Sequence, residues 1–150
     1  MENHPILTTQ PLDIPALEKM ALEGHAGCLL SFQNLTRGDD GGQGTIDHYE
    51  FETYDAPAQK ELSKILETAR GLWPNARVIL QHRTGRIPVG EPSSFIGVSS
   101  TNFKESFEVC RYVIEQIDSG VPIWKKIIYR DGHSAWADNR PKPQRPPARV

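Results

Sequence analysis

The sequence predicts an α+β fold, and three observations carry that prediction. Two long segments repeat apolar residues at helical spacing, around residues 58–72 and 103–117. Several short apolar runs of strand length lie between and around them. Near the end, Asp131-Gly132 separates two apolar runs, a strong hairpin signal. Hairpins interspersed with helices suit α+β better than a regular strand–helix alternation. The chain has 150 residues, long enough for one domain with its own core.

The first helix is expected after Asp13, which suits an N-cap, with Pro15 in the first turn. Leu17, Met20 and Ala21 give it an apolar stripe, and Gly24 ends it. Residues 26–32 (AGCLLSF) form a continuous apolar run and read as a buried strand. Arg37 then opens a glycine-rich stretch to Gly44, read as a mobile loop. Residues 46–54 alternate in character and read as a strand pairing with the run before the loop. Leu62, Ile65, Leu66, Ala69 and Leu72 mark the second helix, which stops near Pro74.

Residues 77–82 and 94–99 read as strands joined by a turn spanning 85–92. In the third helix Phe103, Phe107, Cys110, Ile114 and Ile117 form the expected core stripe. Asn102 with Glu105 resembles a capping box, and Gly120 suits a left-handed C-terminal residue. Strands at 123–129 and 133–136 complete the hairpin. The domain is taken as residues 1–138. Residues 139–150, rich in Pro and Arg, have nothing to bury and are expected to form a flexible tail.

Composition excludes several classes. A net charge of −2 gives no general electrostatic footprint for nucleic acid. No apolar run reaches membrane-spanning length, and the first residues lack a signal-peptide pattern. The two cysteines, Cys28 and Cys110, lie far apart in apolar segments and read as buried thiols in a reducing compartment, so the cytoplasm is expected. The five histidines show no zinc-ligand spacing. The glycines at 38, 41, 42 and 44 are not a phosphate loop, because no Lys-Ser/Thr follows.

The candidate anion-binding residues are Arg37, Lys125 and Lys126. Arginine presents a planar fork of donors suited to phosphate or carboxylate, although a loop arginine is commonly just solvated. Lys125 and Lys126 follow Val121-Pro122-Ile123-Trp124, and in an extended strand they face opposite sides. One of them at most faces a given pocket. His82-Arg83-Thr84-Gly85 follows a strand and reads as strand-end hydrogen bonding.

The Val121–Lys126 string resembles the C-terminal motif of the large, catalytic subunit of molybdopterin synthase. Residues 26–32 with Arg37, Tyr49-Glu50 to Tyr54, Trp73-Pro74, His82 to Gly85, Val89 to Glu91, and Phe107-Glu108 with Tyr112 agree in order. The resemblance covers roughly residues 12–136. It implies an α/β hammerhead fold with an added β-subdomain, and a homodimer. It also implies a ubiquitin-like carrier partner whose C-terminal Gly-Gly bears a thiocarboxylate. Sulfur would pass from that tail to cyclic pyranopterin monophosphate, with no redox cofactor or metal.

Carried over by position, Lys125 and Arg37 are the catalytic candidates, and Lys126 falls on a further basic position. The family's substrate-contacting His-Arg pair falls on Asn102 and Phe103, and its essential lysine on Asp118. Its glutamate after the basic pair falls on Ile127, and a glycine before the loop falls on Asn34. Asn102, Phe103 and Asp118 are therefore the remaining substrate-binding positions. Asp118 also fits a solvated stripe with Lys104, Glu108, Arg111 and Glu115. The substitutions leave two readings, a working sulfur-transfer subunit and a relative that keeps dimer and carrier binding in a regulatory or scaffold role, or acts on a different substrate.

Overall fold

A computed structural model describes residues 4–24, 27–39, 42 and 44–137. The α+β class holds: among these residues three helices accompany two four-stranded sheets. The expected tail beyond Asn139 lies outside the described residues, as do Ala26 of the expected first strand and part of the glycine-rich loop.

In the first sheet the strand order is β1 (Leu7–Thr8), β4 (Arg77–Arg83), β6 (Pro92–Ser100) and β2 (Cys28–Leu35). In the second it is β5 (Gly85–Pro88), β3 (Ile46–Thr53), β7 (Ile123–Tyr129) and β8 (Ser134–Trp136). Helices α2 (Asp55–Leu72) and α3 (Phe103–Gly120) pack on one face of the first sheet around Leu62, Leu66, Val109 and Val113. Helix α1 (Ile14–Leu22) covers the other face, where Leu17 and Ala21 meet Ile79 and Phe95. Gly97 makes that approach possible, because a Cβ there would stand 2.8 Å from the buried Phe95 ring.

The caps read from sequence are present. Asp13 Oδ1 accepts from the Ala16 N–H, and Asn102 Oδ1 accepts from the Glu105 N–H. The β7–β8 hairpin closes through Gly132, whose φ of 96° suits glycine.

Other expectations are corrected. The strand at 46–53 pairs with β5 and β7, not with the run before the loop. Its Tyr49 and Phe51 pack with Ile127 and Tyr129, and this burial decides the pairing. The segment at 85–92 is not merely a turn, because Gly85–Pro88 forms β5 and carries the chain from the first sheet into the second. Strand β1, which adds to the first sheet in parallel with β4, carries too short a pattern to be read from sequence.

The stripe of α3 is also rotated. Ser106, Val109, Cys110 and Val113 are buried, whereas Phe103 and Phe107 are 69% and 59% exposed. Small residues face the sheet there, and the Ser106 hydroxyl bonds the Ser100 hydroxyl at 2.7 Å. Apolar spacing defined an arc of the helix but not which edge of it meets the sheet. Leu72 at the end of α2 is likewise exposed. Gly120 is the last helical residue rather than a left-handed cap, and extended Val121 follows it.

Candidate functional site

Where the two sheets and the C-terminal end of α3 converge, they enclose a cavity of about 500 Å³. Strand alternation decides which side chains reach it. In the β3–β7 ladder Phe51 is opposite Lys125, and Glu50 is opposite Lys126. Side chains directly opposite in a ladder share a face, so the two lysines part. Lys125 lines the cavity with Tyr49 and Phe51, and its Nζ stands 4.7 Å from the Tyr49 ring centroid. A cation over an aromatic face is held there by the ring quadrupole. Lys126 turns to the opposite side, with its Nζ 5.7 Å from the Trp136 ring.

Arg37 reaches the cavity from the root of the glycine-rich loop. Its neighbours are fixed by backbone bonds. Thr36 N donates to Glu91 O at 3.1 Å, Gly90 N donates to Thr36 O at 2.9 Å, and Ile46 N donates to Gly38 O at 2.9 Å. The buried Arg83 side chain braces the same turn through a 2.7 Å ion pair with Glu91. Arg37 therefore projects from an anchored position rather than from a mobile lid.

Asp118 lines the cavity from the last turn of α3, beside Ile114 and Ile117. It is solvent-exposed, and it shares the helix with the expected Arg111–Glu115 pair at 3.2 Å. Asn102 and Phe103 sit at the other end of α3. Fifteen residues separate Phe103 from Asp118, roughly 22 Å along a helix at 1.5 Å per residue. Neither Asn102 nor Phe103 lines the cavity. Of the six positions singled out, the structure brings together Arg37, Lys125 and Asp118, and leaves Lys126, Asn102 and Phe103 outside. Ile127, where a glutamate was expected by resemblance, packs instead with the Tyr49 and Tyr129 cluster.

The sequence placed His82 only in strand-end hydrogen bonding, which is present, and not in the cavity. Its ring lines the cavity, with its centroid 5.0 Å from that of Phe51 in an edge contact. Nδ1 lies 2.8 Å from the Arg83 carbonyl oxygen, which only accepts, so Nδ1 carries the proton. Burial pushes the pKa down to about 4, which keeps the ring neutral at physiological pH. With His82 neutral, the charged lining groups among the described residues are two cations and one carboxylate. The signal in the sequence was slight: a histidine closing the apolar strand Val78-Ile79-Leu80.

Chemically, the site suits an anion with a polar ring attached. Two cations offer charge, the aromatic wall offers stacking, and the first sheet offers uncharged hydrogen-bonding groups. Among the described residues, no group of three His, Cys, Asp or Glu is placed to hold a metal. Among the same residues, no helix is long and apolar enough to cross a membrane.

Comparison with known proteins points to one family. A model of the MoaE protein family matches residues 7–119. The molybdopterin synthase catalytic subunit of rice (Oryza sativa) is 37% identical over 115 residues, 77% of this chain and 58% of that protein. The chain thus spans little more than half the length of these curated relatives. The crystal structure of molybdopterin synthase from Staphylococcus aureus superposes with a TM-score of 0.82 at 27% identity, covering 93% of this chain and 100% of that one. A Helicobacter pylori structure, a complex of subunits 1 and 2 of molybdopterin-converting factor, shares the fold at 23% identity and a TM-score of 0.72, over 92% and 94% of the two chains.

Proposed function

The chain belongs to the MoaE protein family, and we propose that it serves as the catalytic subunit of a molybdopterin synthase. In this reading it moves sulfur from a thiocarboxylated carrier to cyclic pyranopterin monophosphate. The observation that carries the reading is the convergence of Arg37 and Lys125 on one cavity with an aromatic wall. Its volume of about 500 Å³ falls in the range that encloses a small organic ligand. The guanidinium fork and the ammonium suit the substrate phosphate, and a cation fixed at Lys125 stabilises negative charge as sulfur adds to the ring system. The carrier's terminal carbonyl carbon gives up sulfur and takes an oxygen from water, ending as a carboxylate.

The partner in this proposal is a small ubiquitin-like carrier ending in Gly-Gly, a tail slim enough to enter such a cavity. The Helicobacter pylori complex, which pairs two different chains, supports a partner of this kind. Self-association as a homodimer is supported by Phe103 and Phe107, one helical turn apart and both exposed on α3. Free thiols at Cys28 and Cys110 support a cytoplasmic setting. Lys126, Asn102 and Phe103 have no role in this cavity as proposed.

Asp118 is the test of the reading, because a carboxylate in the lining repels a phosphate. Turnover is expected from the wild type with a thiocarboxylated carrier and cyclic pyranopterin monophosphate, and Asp118→Lys is expected to lower KM for the pterin. A wild type that binds the carrier but forms no molybdopterin overturns the proposal.

A further inference from the structure

Three polar side chains form a row across the first sheet. Asn34 on β2 and His82 on β4 are each the ladder partner of Ser94 on the strand between them. Ladder partners share a face, and all three line the cavity. Asn34 Nδ2 donates to Ser94 Oγ at 3.1 Å, which ties two members together. His82 is buried, only 6% exposed. Its Nδ1–H is committed to the Arg83 carbonyl, and among the described residues Nε2 has no hydrogen-bond partner. Nε2 is thus open to the cavity, where a ligand group can meet it.

We infer that His82 is a specificity-determining residue, whose Nε2 accepts a hydrogen bond from an N–H or O–H group of the bound pterin. Lys125 and Arg37 then bind the anionic part of the ligand, while the row on the first sheet reads its uncharged ring. This assignment rests on the pterin reading above. The low pKa fits it, since a ring that stays neutral keeps the Nε2 lone pair available. The same property makes His82 a poor proton carrier near neutral pH, so its part is recognition.

The experiment separates the two nitrogens. In His82→Asn the amide N–H takes the position of Nδ1–H and keeps the bond to the Arg83 carbonyl, but nothing replaces Nε2. His82→Gln places an amide group near Nε2 instead. Calorimetric binding of cyclic pyranopterin monophosphate is expected to weaken roughly tenfold in His82→Asn. It should recover in part in His82→Gln, while affinity for the carrier stays unchanged. In the wild type, the Nε2 nitrogen-15 resonance should shift on saturation with the pterin and stay in place with inorganic phosphate alone. This second measurement holds even if a variant fails to fold.

Equal affinity of His82→Asn and wild type, or an Nε2 resonance that the pterin leaves unmoved, overturns the inference alone. A wild type that binds no pterin overturns both the inference and the functional reading. Binding with the Nε2 shift but without turnover keeps the inference and removes the sulfur-transfer proposal.

Discussion

Adjacent lysines with opposite surroundings are the sharpest contrast at the scale of single residues. Lys125 faces the cavity and Lys126 faces Trp136, with Glu50 as its ladder partner. The proposed reaction therefore assigns them unequal weights. Lys125→Ala should lower kcat/KM by about 10²-fold, the usual cost of one lost charge-stabilising group. Lys126→Ala should change it by less than about threefold, within the range of a lost surface contact. Steady-state kinetics on both variants checks the pair, and equal losses would contradict the assignment of faces.

His82 makes a second prediction, this time about acid stability. Its ordinary pKa of 6.5 drops to about 4 in the folded protein because burial disfavours the charged ring. Below pH 6.5 the unfolded chain takes up a proton that the folded chain refuses until about pH 4. Stability should fall across that window and level off beneath it, by about 3 kcal/mol in total. Urea midpoints measured from pH 7 to pH 4 should show this fall in the wild type, and a shallower one in His82→Asn. The lysine alternation was legible in the sequence, because period two is a property of any strand. His82 was not, because its importance comes from what β3 and β6 bring against it.

Among the elements, those held together by local rules were the readable ones. Both long helices and the first cap follow from spacing and from Asp13, and the β7–β8 hairpin follows from Asp131-Gly132. Strand pairing was not readable. The partner of β3 is chosen by the burial of Tyr49 and Phe51 against β7, a contact between segments more than seventy residues apart in sequence. Helix α3 illustrates both cases, since its N-cap was predictable while its buried edge was not. The length of α3 also separates stability from function. Asn102→Ala removes the hydrogen bond to the Glu105 N–H and should cost about 1 kcal/mol. It should leave KM for the pterin unchanged in a single active chain, because the cavity lies near Asp118 at the other end. Denaturant unfolding and kinetics on the same preparation decide the matter, and a raised KM with an unchanged midpoint would bring Asn102 back to the substrate.

Over the whole molecule, the cavity is a product of tertiary structure. Its wall draws on Phe32 of β2, Phe51 of β3, His82 of β4 and Lys125 of β7, and it runs as far as Ala137 beyond β8. Sequence patterns named two of its cations and its carboxylate, but the enclosure itself required both sheets to be placed. A ligand seated there touches segments from nearly the whole fold and cannot bind the unfolded chain in the same way. Its binding energy should then appear as folding stability. At a concentration one hundred times its Kd, cyclic pyranopterin monophosphate should add about 2.7 kcal/mol. For a domain of this size that corresponds to a rise in Tm of roughly 5–10 °C. Scanning calorimetry with the pterin should show that rise in the wild type, and a much smaller one in Lys125→Ala at the same ligand concentration. Lys126→Ala should behave as the wild type. A Tm that the pterin leaves unchanged in the wild type would mean that the cavity between the two sheets is not its binding site.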